Sequence, residues 1–385
     1  MSLGGLMNML QKANIAPPQE TLKVGNHEVA VIKKLGEGGY STVFHVKDQV
    51  SGQDYALKKM LAGTQESKND CEREINIMKK FDHPNILKLI DSEGRQLSKS
   101  TYEFLLLLEY CPNTLINEMN SIATTTRLTE LQIVMIFEQI VAGVVYMHTQ
   151  EPPIQHRDLK VENIFHAQDG KYKIGDFGSC TIKEQNPETM TQNQIVVLEE
   201  QIQKKTTPCY RSPEMTDLYL KQKIGLPCDV WALGCILYTM CFYENPFERG
   251  GNLSIMNVAY TYPTQDEWIR SERERLKGKG PGREMYSKDI LALIDFMLEP
   301  DVDSRPTILQ VLSRTNEMLG KPYPRNLPQP PPPPKPTITQ KHVLLFEQEE
   351  RQKKSRARRQ LPPELTQEDL ERISQKRKSG DKRQH

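Results

Sequence analysis

The spacing of the apolar residues changes character near residue 111, and this change constrains the fold more than any other feature of the chain. Before it, apolar positions come in short runs: Val29, Val31 and Ile32, then Thr42–Val46, then Asp54–Met60. Gly36-Glu37-Gly38-Gly39 and Ser51-Gly52 separate them. Short β-branched runs bounded by turn residues predict an antiparallel meander. Cys71, Ile75 and Met78 then fall at i, i+4, i+7 and predict a helix with one apolar stripe. Phe104–Glu109 is a compact apolar run of the kind a buried strand presents. After Cys111 the period is helical. Thr129, with Gln132 three residues on, is a capping box opening a helix to about His148. Val230–Tyr243 is apolar on all sides, which predicts a helix enclosed by protein, and Ser287 caps another through Met297. Strands first and helices afterwards predict an α+β protein of two lobes, about 23–110 and about 111–320.

The ends of the chain differ from this body. Residues 1–22 show no clear period and contain Pro17-Pro18, which predicts a flexible lead-in. Gln265–Arg283 is densely charged, holds Gly278, Gly280 and Gly282, and is expected to be a surface insertion. From Lys321 onward the chain carries 16 Lys/Arg and 8 Asp/Glu, whereas the 320 residues before it carry a net −7. This tail, 321–385, is Pro-rich and basic with few aromatics, a composition that predicts no packed core. The net charge of the whole chain is only +1, so no nucleic-acid partner is expected. The seven cysteines show no CxxC pair, which fits reduced thiols rather than disulfides or zinc. No targeting signal is visible, and Val230–Tyr243 falls short of the roughly 18 residues of a membrane span. A cytoplasmic protein without a transmembrane segment is expected.

Four groups of residues carry chemistry. Gly36-Glu37-Gly38-Gly39-Tyr40-Ser41-Thr42-Val43 sits between two strand signals, where glycines allow backbone N–H groups to approach a phosphate closely. Taken alone, these residues equally suit a tight hairpin. Tyr55-Ala56-Leu57-Lys58 lies on the following strand, with Glu72 and Glu74 on the stripe helix as candidate partners for Lys58. His156-Arg157-Asp158-Leu159-Lys160-Val161-Glu162-Asn163 comes next, and Asp176-Phe177-Gly178 follows at loop distance. In this order the strings resemble the signature set of the protein kinase superfamily, serine/threonine type. The resemblance runs from about residue 27 to 315.

It implies a bilobal protein kinase fold and a site for ATP and Mg²⁺. By that resemblance Lys58 neutralises the α/β-phosphates and is held by Glu74, Asp158 accepts the substrate hydroxyl proton, and Lys160 steadies the γ-phosphate. Asn163 and Asp176 would bind the metal, and Arg157 would help order the activation segment. The nucleotide would lie against Gly36, Glu37, Gly38, Gly39, Tyr40, Ser41, Val43 and Ala56. Leu108 would guard the back of the adenine pocket, with Glu109–Cys111 as the hinge. Thr207 occupies the position that contacts the catalytic aspartate and lysine in serine/threonine kinases, and Arg305 is the expected ion-pair partner of Glu214. Because Lys58, Asp158, Asn163 and Asp176 are all present, an active enzyme is favoured over a partner-binding pseudokinase scaffold.

Closer comparison narrows the resemblance. Glu37–Phe44, Ala56–Met60, Asp176–Thr181 and Thr207–Met215 are similar to the Numb-associated kinase family, which includes adaptor-associated, cyclin-G-associated and yeast actin-patch kinases. That implies Thr/Ser acceptors on endocytic adaptors or actin and coat regulators, and a place at endocytic or actin-rich sites. Cys180 stands where that family usually has alanine. In the tail, Pro330–Pro336 fits a PxxPxK ligand of an SH3 domain, or else a stiff spacer. Lys353–Arg359 could touch anionic lipid, giving peripheral membrane association, act as a nuclear signal, or be a solvated charge run.

Overall fold

The computed structural model describes residues 20–332, apart from 40, 124, 125, 276 and 278–283. Its first lobe is built on β1 (Thr21–Val24), β2 (His27–Glu37), β3 (Ser41–Asp48), β4 (Asp54–Ala62), β5 (Leu89–Gln96) and β6 (Tyr102–Glu109). They form one sheet of order β1-β2-β3-β4-β6-β5, antiparallel throughout. The strand alternation explains the compact run in β6. Leu105 and Leu107 join Tyr55, Leu57, Val29 and Val46 in a cluster on one face, while Phe104, Leu106 and Leu108 face the main core. Both faces are covered, so no polar residue interrupts the run. Helix α1 (Gln65–Met78) crosses the core face, capped by Thr64 and Ser67.

The second lobe is helical. After the short strand β7 (Asn113–Thr114) come α2 (Leu115–Ala123) and α3 (Glu130–His148), the latter opened by the expected Thr129/Gln132 capping box. Strands β8 (Ile164–His166) and β9 (Tyr172–Ile174) join β7 in a small sheet that carries the loops of the site. The remaining helices are α4 (Gln192–Lys205), α5 (Pro213–Thr216), α6 (Pro227–Phe242), α7 (Gly251–Met256), α8 (Gln265–Arg275), α9 (Lys288–Met297) and α10 (Ile308–Met318). Every residue of α6 from Cys228 to Phe242 is buried, as its uniform hydropathy predicts. By length and composition α3 could cross a membrane, but most of it is buried within the lobe.

Four regions depart from the sequence reading. Thr21 and Leu22, read as the end of a lead-in, open β1, which a turn at Gly25 (φ +56°) folds back onto β2. Residues 265–275 are no surface insertion: Trp268 and Glu272 of α8 are buried, and Glu272 accepts from Arg127 Nε at 2.7 Å and from Arg275. A charged stretch reads as solvated when its counter-ion is 145 residues away. Within residues 321–332, read as part of a coreless tail, Tyr323 and Leu327 rest half-buried against the main core. Finally, α4 lies in a segment where no element was expected. Of the Pro330–Pro336 run, the last three prolines and Lys335 lie outside the described residues, as does Lys353–Arg359.

Candidate active site

The alternation that packs the sheet also aims its lysines. Lys58, paired in register with Leu106, faces the core side and reaches α1, where its Nζ lies 2.7 Å from Glu74 Oε1. Lys59 faces the other way and pairs with the buried Glu103 at 2.9 Å. Of the two glutamates weighed from sequence, Glu74 is the partner, whereas Glu72 pairs with Lys68 on the helix surface. Lys58 Nζ also meets Asp176 Oδ1 at 3.1 Å. Burial opposes the charge on Lys58, but the pull and hydrogen bonds of Glu74 and Asp176 outweigh it and hold its pKa above the ordinary value. The same lysine charge holds Asp176 below the usual carboxylate range.

Above this pair, Gly38 N donates to Ser41 O at 2.8 Å and closes the turn between β2 and β3. A Cβ on Gly36 or Gly39 would meet no atom within 4 Å, and one on Gly38 would meet only Ser41. None has the positive φ that demands glycine. The protein's own packing therefore does not call for three small residues here, whereas close approach by another molecule does. Val43 lies opposite Lys58, and Ala56 opposite the buried Leu108. Tyr40 is outside the described residues. The Glu109 carboxylate turns to the connecting segment, accepting from Lys88 N at 2.6 Å and pairing with Lys173 at 2.8 Å. The half-buried Cys111 thiol is pushed up to about 12 by burial and the nearby Glu109 charge.

The loop between α3 and β8 is gripped from below. Asp229, near the start of α6, accepts from the His156 and Arg157 backbone amides, each at 2.8 Å, and meets His148 Nε2 at 2.9 Å. Burial disfavours the Asp229 charge, yet the bond to His148 and the neighbouring His156 hold its pKa down. This grip sustains Arg157 at φ 69°. In the sequence Asp229 reads only as a fold-holding residue that opens the buried helix. The signal of its further part was a lone carboxylate opening an otherwise apolar helix, since a buried charge must find donors.

Asp158 then sits at the floor of the cleft. Its Oδ1 accepts from Thr207 N at 2.9 Å and Thr207 Oγ1 at 2.8 Å, and its Oδ2 pairs with Lys160 Nζ at 2.9 Å. Lys160 Nζ also donates to Thr207 Oγ1 at 2.8 Å. Asn163 Nδ2 donates to the Asp158 carbonyl at 2.9 Å, which leaves the Asn163 amide oxygen as the available ligand atom. Phe177 is buried edge-on against Phe81, centroids 5.1 Å apart, and also packs against His156. Arg157 Nε and Nη2 are buried with no hydrogen-bond partner among the described residues.

The segment from Asp176 to Glu214 is held by α4, which sequence reading missed. Ile195, Leu198 and Ile202 pack on Met215, Leu218, Ile224 and Cys228. At the end of α4 the Lys205 carbonyl accepts from Ser179 Oγ at 2.5 Å, and Lys205 Nζ pairs with Asp70 of α1 at 2.7 Å. Arg211 donates to Thr206 Oγ1 at 2.8 Å and to Thr206 O at 3.0 Å. The expected Glu214–Arg305 pair is bidentate, at 2.7 and 3.0 Å, and wholly buried.

A strand lobe over a helical lobe, with a lysine–glutamate pair above and an aspartate–lysine–threonine cluster below, defines the bilobal kinase architecture. The chain belongs to the protein kinase domain family, whose model matches residues 29–315. A probable serine/threonine-protein kinase of Dictyostelium discoideum is 36% identical over 301 residues, covering 77% of this chain and 25% of the relative. A second from the same organism is 38% identical over 304 residues, covering 77% and 35%. The actin-regulating kinase PRK1 of Saccharomyces cerevisiae is 34% identical over 315 residues, covering 80% and 36%. The chain thus spans between a quarter and about a third of the length of these curated relatives.

Proposed function

We propose that the chain transfers the γ-phosphoryl group of Mg-ATP to threonine and serine hydroxyls of protein substrates, through a kinase domain covering about residues 23–320. The observation that carries this reading is the triangle of Asp158, Lys160 and Thr207. Asp158 is fixed by two donors from Thr207 and by Lys160, so its carboxylate is oriented before any hydroxyl arrives. An acceptor hydroxyl within hydrogen-bond distance of Asp158 gives up its proton there as its oxygen attacks. Lys160 Nζ, beside both Thr207 and Asp158, then faces the phosphoryl charge as it moves. Lys58, held by Glu74, orients the non-transferred phosphates. Most of the acceleration in phosphoryl transfer comes from such positioning and charge neutralisation.

The metal reading rests on donor chemistry. Asp176 and Asn163 offer a carboxylate and an amide oxygen, hard ligands suited to Mg²⁺. Among the described residues no group of three or more His, Cys, Asp or Glu side chains could cage an ion. That fits a metal held by one or two protein oxygens plus substrate phosphates. Magnesium bound there would supply charge neutralisation at the phosphates.

The narrower reading is a Numb-associated-type kinase acting on endocytic adaptors or actin and coat regulators in the cytoplasm. Similarity to a yeast actin-regulating kinase and the four local strings support it. A shallow acceptor platform around Asp158 is part of this reading: a threonine hydroxyl one bond from Cβ would meet Asp158, whereas a tyrosine hydroxyl, several ångströms further from its backbone, would overshoot. Matched peptides differing only in the acceptor test both levels. Threonine and serine should be phosphorylated, threonine faster, and tyrosine not. Tyrosine used as fast as threonine overturns the serine/threonine reading. Serine preferred over threonine overturns only the narrower family.

A further inference from the structure

The first residues of the Pro-rich run, which phosphoryl transfer leaves unused, are fastened to the helical lobe. After α10 the chain turns back along that helix. Lys321 N donates to Asn316 O at 2.8 Å, and Asn316 Nδ2 donates to the Pro322 carbonyl at 3.4 Å. Tyr323 and Leu327 pack on the core, and the Tyr323 hydroxyl donates to the Pro328 carbonyl at 2.7 Å. At the opposite end of α10 the buried Gln310 side chain does two things. Its Oε1 accepts from Thr307 N at 2.7 Å, as half of the capping box. Its Nε2 donates to the carbonyls of Pro331 at 3.0 Å and Pro332 at 2.8 Å. The returning segment is therefore tied at both ends of one helix.

Polyproline has no backbone N–H and makes no internal hydrogen bonds, so its carbonyls and ring faces are all a receptor can grip. Pro331 and Pro332 lie within Pro330-x-x-Pro333-x-Lys335, the stretch suited to an aromatic-lined groove. Gln310 and such a groove compete for the same short piece of chain. We propose that Pro330–Pro332 is a latched ligand, resting on the kinase lobe through Gln310, and that an SH3-type domain taking the Pro-rich run must first displace it. The receptor then binds only the unlatched fraction, and its apparent affinity falls by that fraction.

The latch can be cut without harming the helix. Gln310→Glu keeps the capping acceptor and adds a favourable charge at the start of α10, but removes both donors to the prolines. Tyr323→Phe removes the second tie and leaves Gln310 in place. Two readouts on the full chain apply. The first is the rate of tryptic cleavage at the exposed Arg325, which requires local release of the segment. The second is titration with a recombinant SH3 domain of the class selecting PxxPxK, against the full chain and against a synthetic peptide of residues 326–340. Cleavage should be about three- to tenfold faster in both variants. The SH3 domain should bind the peptide and the Gln310→Glu chain alike, and the wild-type chain about three- to tenfold more weakly. Equal cleavage rates and equal affinities in all three chains overturn the latch. An SH3 domain that ignores even the free peptide overturns the partner class, with the cleavage rates still deciding the latch. Neither readout depends on phosphoryl transfer.

Discussion

In the proposed transfer Asp158 would carry most of the chemical burden in one carboxylate, and its neighbours specify what losing that charge does. Asp158→Asn keeps an oxygen for the Thr207 donors, so the fold should persist while the proposed proton acceptor is lost. Single-turnover transfer at saturating Mg-ATP should fall by about 10²–10⁴-fold. Retention within about tenfold, near 1.4 kcal/mol of barrier, removes Asp158 from its role. Leu108 offers a second test. It is buried opposite Ala56 at the end of β6, so Leu108→Gly should admit ATP analogues bulky at the adenine N6. A variant still active with ATP that gains no such acceptance places the adenine elsewhere. The Lys58–Asp176 pair gives a pH expectation. Lys58 is raised above 10.5, so its contribution is complete below that value and fades only as pH rises through the higher folded one. Asp176 is lowered below 3.8, so its contribution is complete above that value and fades as acid titrates the folded group. Between about pH 5 and 9 neither group titrates, and Mg-nucleotide affinity should stay flat from about pH 7 to 9. A step in that range that vanishes in Lys58→Arg contradicts the pairing.

Helix α4 orders the segment between Asp176 and Glu214, and its stability rests on few groups. Thr191 caps it reciprocally with Gln194, and three apolar residues bury its inner face. Thr191→Ala should cost about 1 kcal/mol. The α4 amides should then exchange about fivefold faster, with those of α6 unchanged; equal exchange in both chains means that the cap contributes nothing. This helix also shows where sequence legibility ended. Strands β2, β3, β4 and β6 and helices α3, α6 and α9 could be read because burial imprinted a period or a uniform run. For α4 the capping box and the Ile195, Leu198, Ile202 spacing were present, but the exposed Val196 and Val197 blur the stripe. The apolar partners that make the helix worthwhile come from residues 215–228. The edge strand β5 is largely polar and pairs only with β6. The candidate site was legible for a different reason: the proposed phosphoryl transfer would fix residue types at short spacing, and Asp158, Lys160 and Asn163 lie in one string. What short strings cannot contain is the support from afar, such as Asp229 beneath His156 and Arg157, or Asp70 against Lys205.

Glu214 and Arg305 tie the end of the activation segment to the base of the helical lobe. The pair is 91 residues apart in sequence and fully enclosed. Burial works against the Glu214 charge, but Arg305 more than offsets this and holds the carboxyl below its ordinary range. Arg305 is saturated as well, donating to Glu299, Pro227 and Pro300 carbonyls at 2.7–3.2 Å. Removing one partner strands the other charge in the core. Arg305→Met should therefore destabilise by about 3–5 kcal/mol, lowering the thermal midpoint by roughly 5–15 °C. Adding Glu214→Leu removes the stranded charge, so the double variant should regain much of the loss even though no ion pair remains. The pH dependence distinguishes the two chains further. A lowered carboxyl contributes stability above its ordinary value of 4.5 and loses it as pH falls through the folded value. The wild type should thus lose stability in acid more steeply than the double variant. If Arg305→Met melts within about 2 °C of wild type, or if the double variant is no more stable than the single, the pair does not anchor the segment. If instead the double variant melts like wild type but transfers phosphate poorly, the pair serves geometry rather than stability, because a hydrophobic replacement fills the space without fixing where residues 207–214 lie.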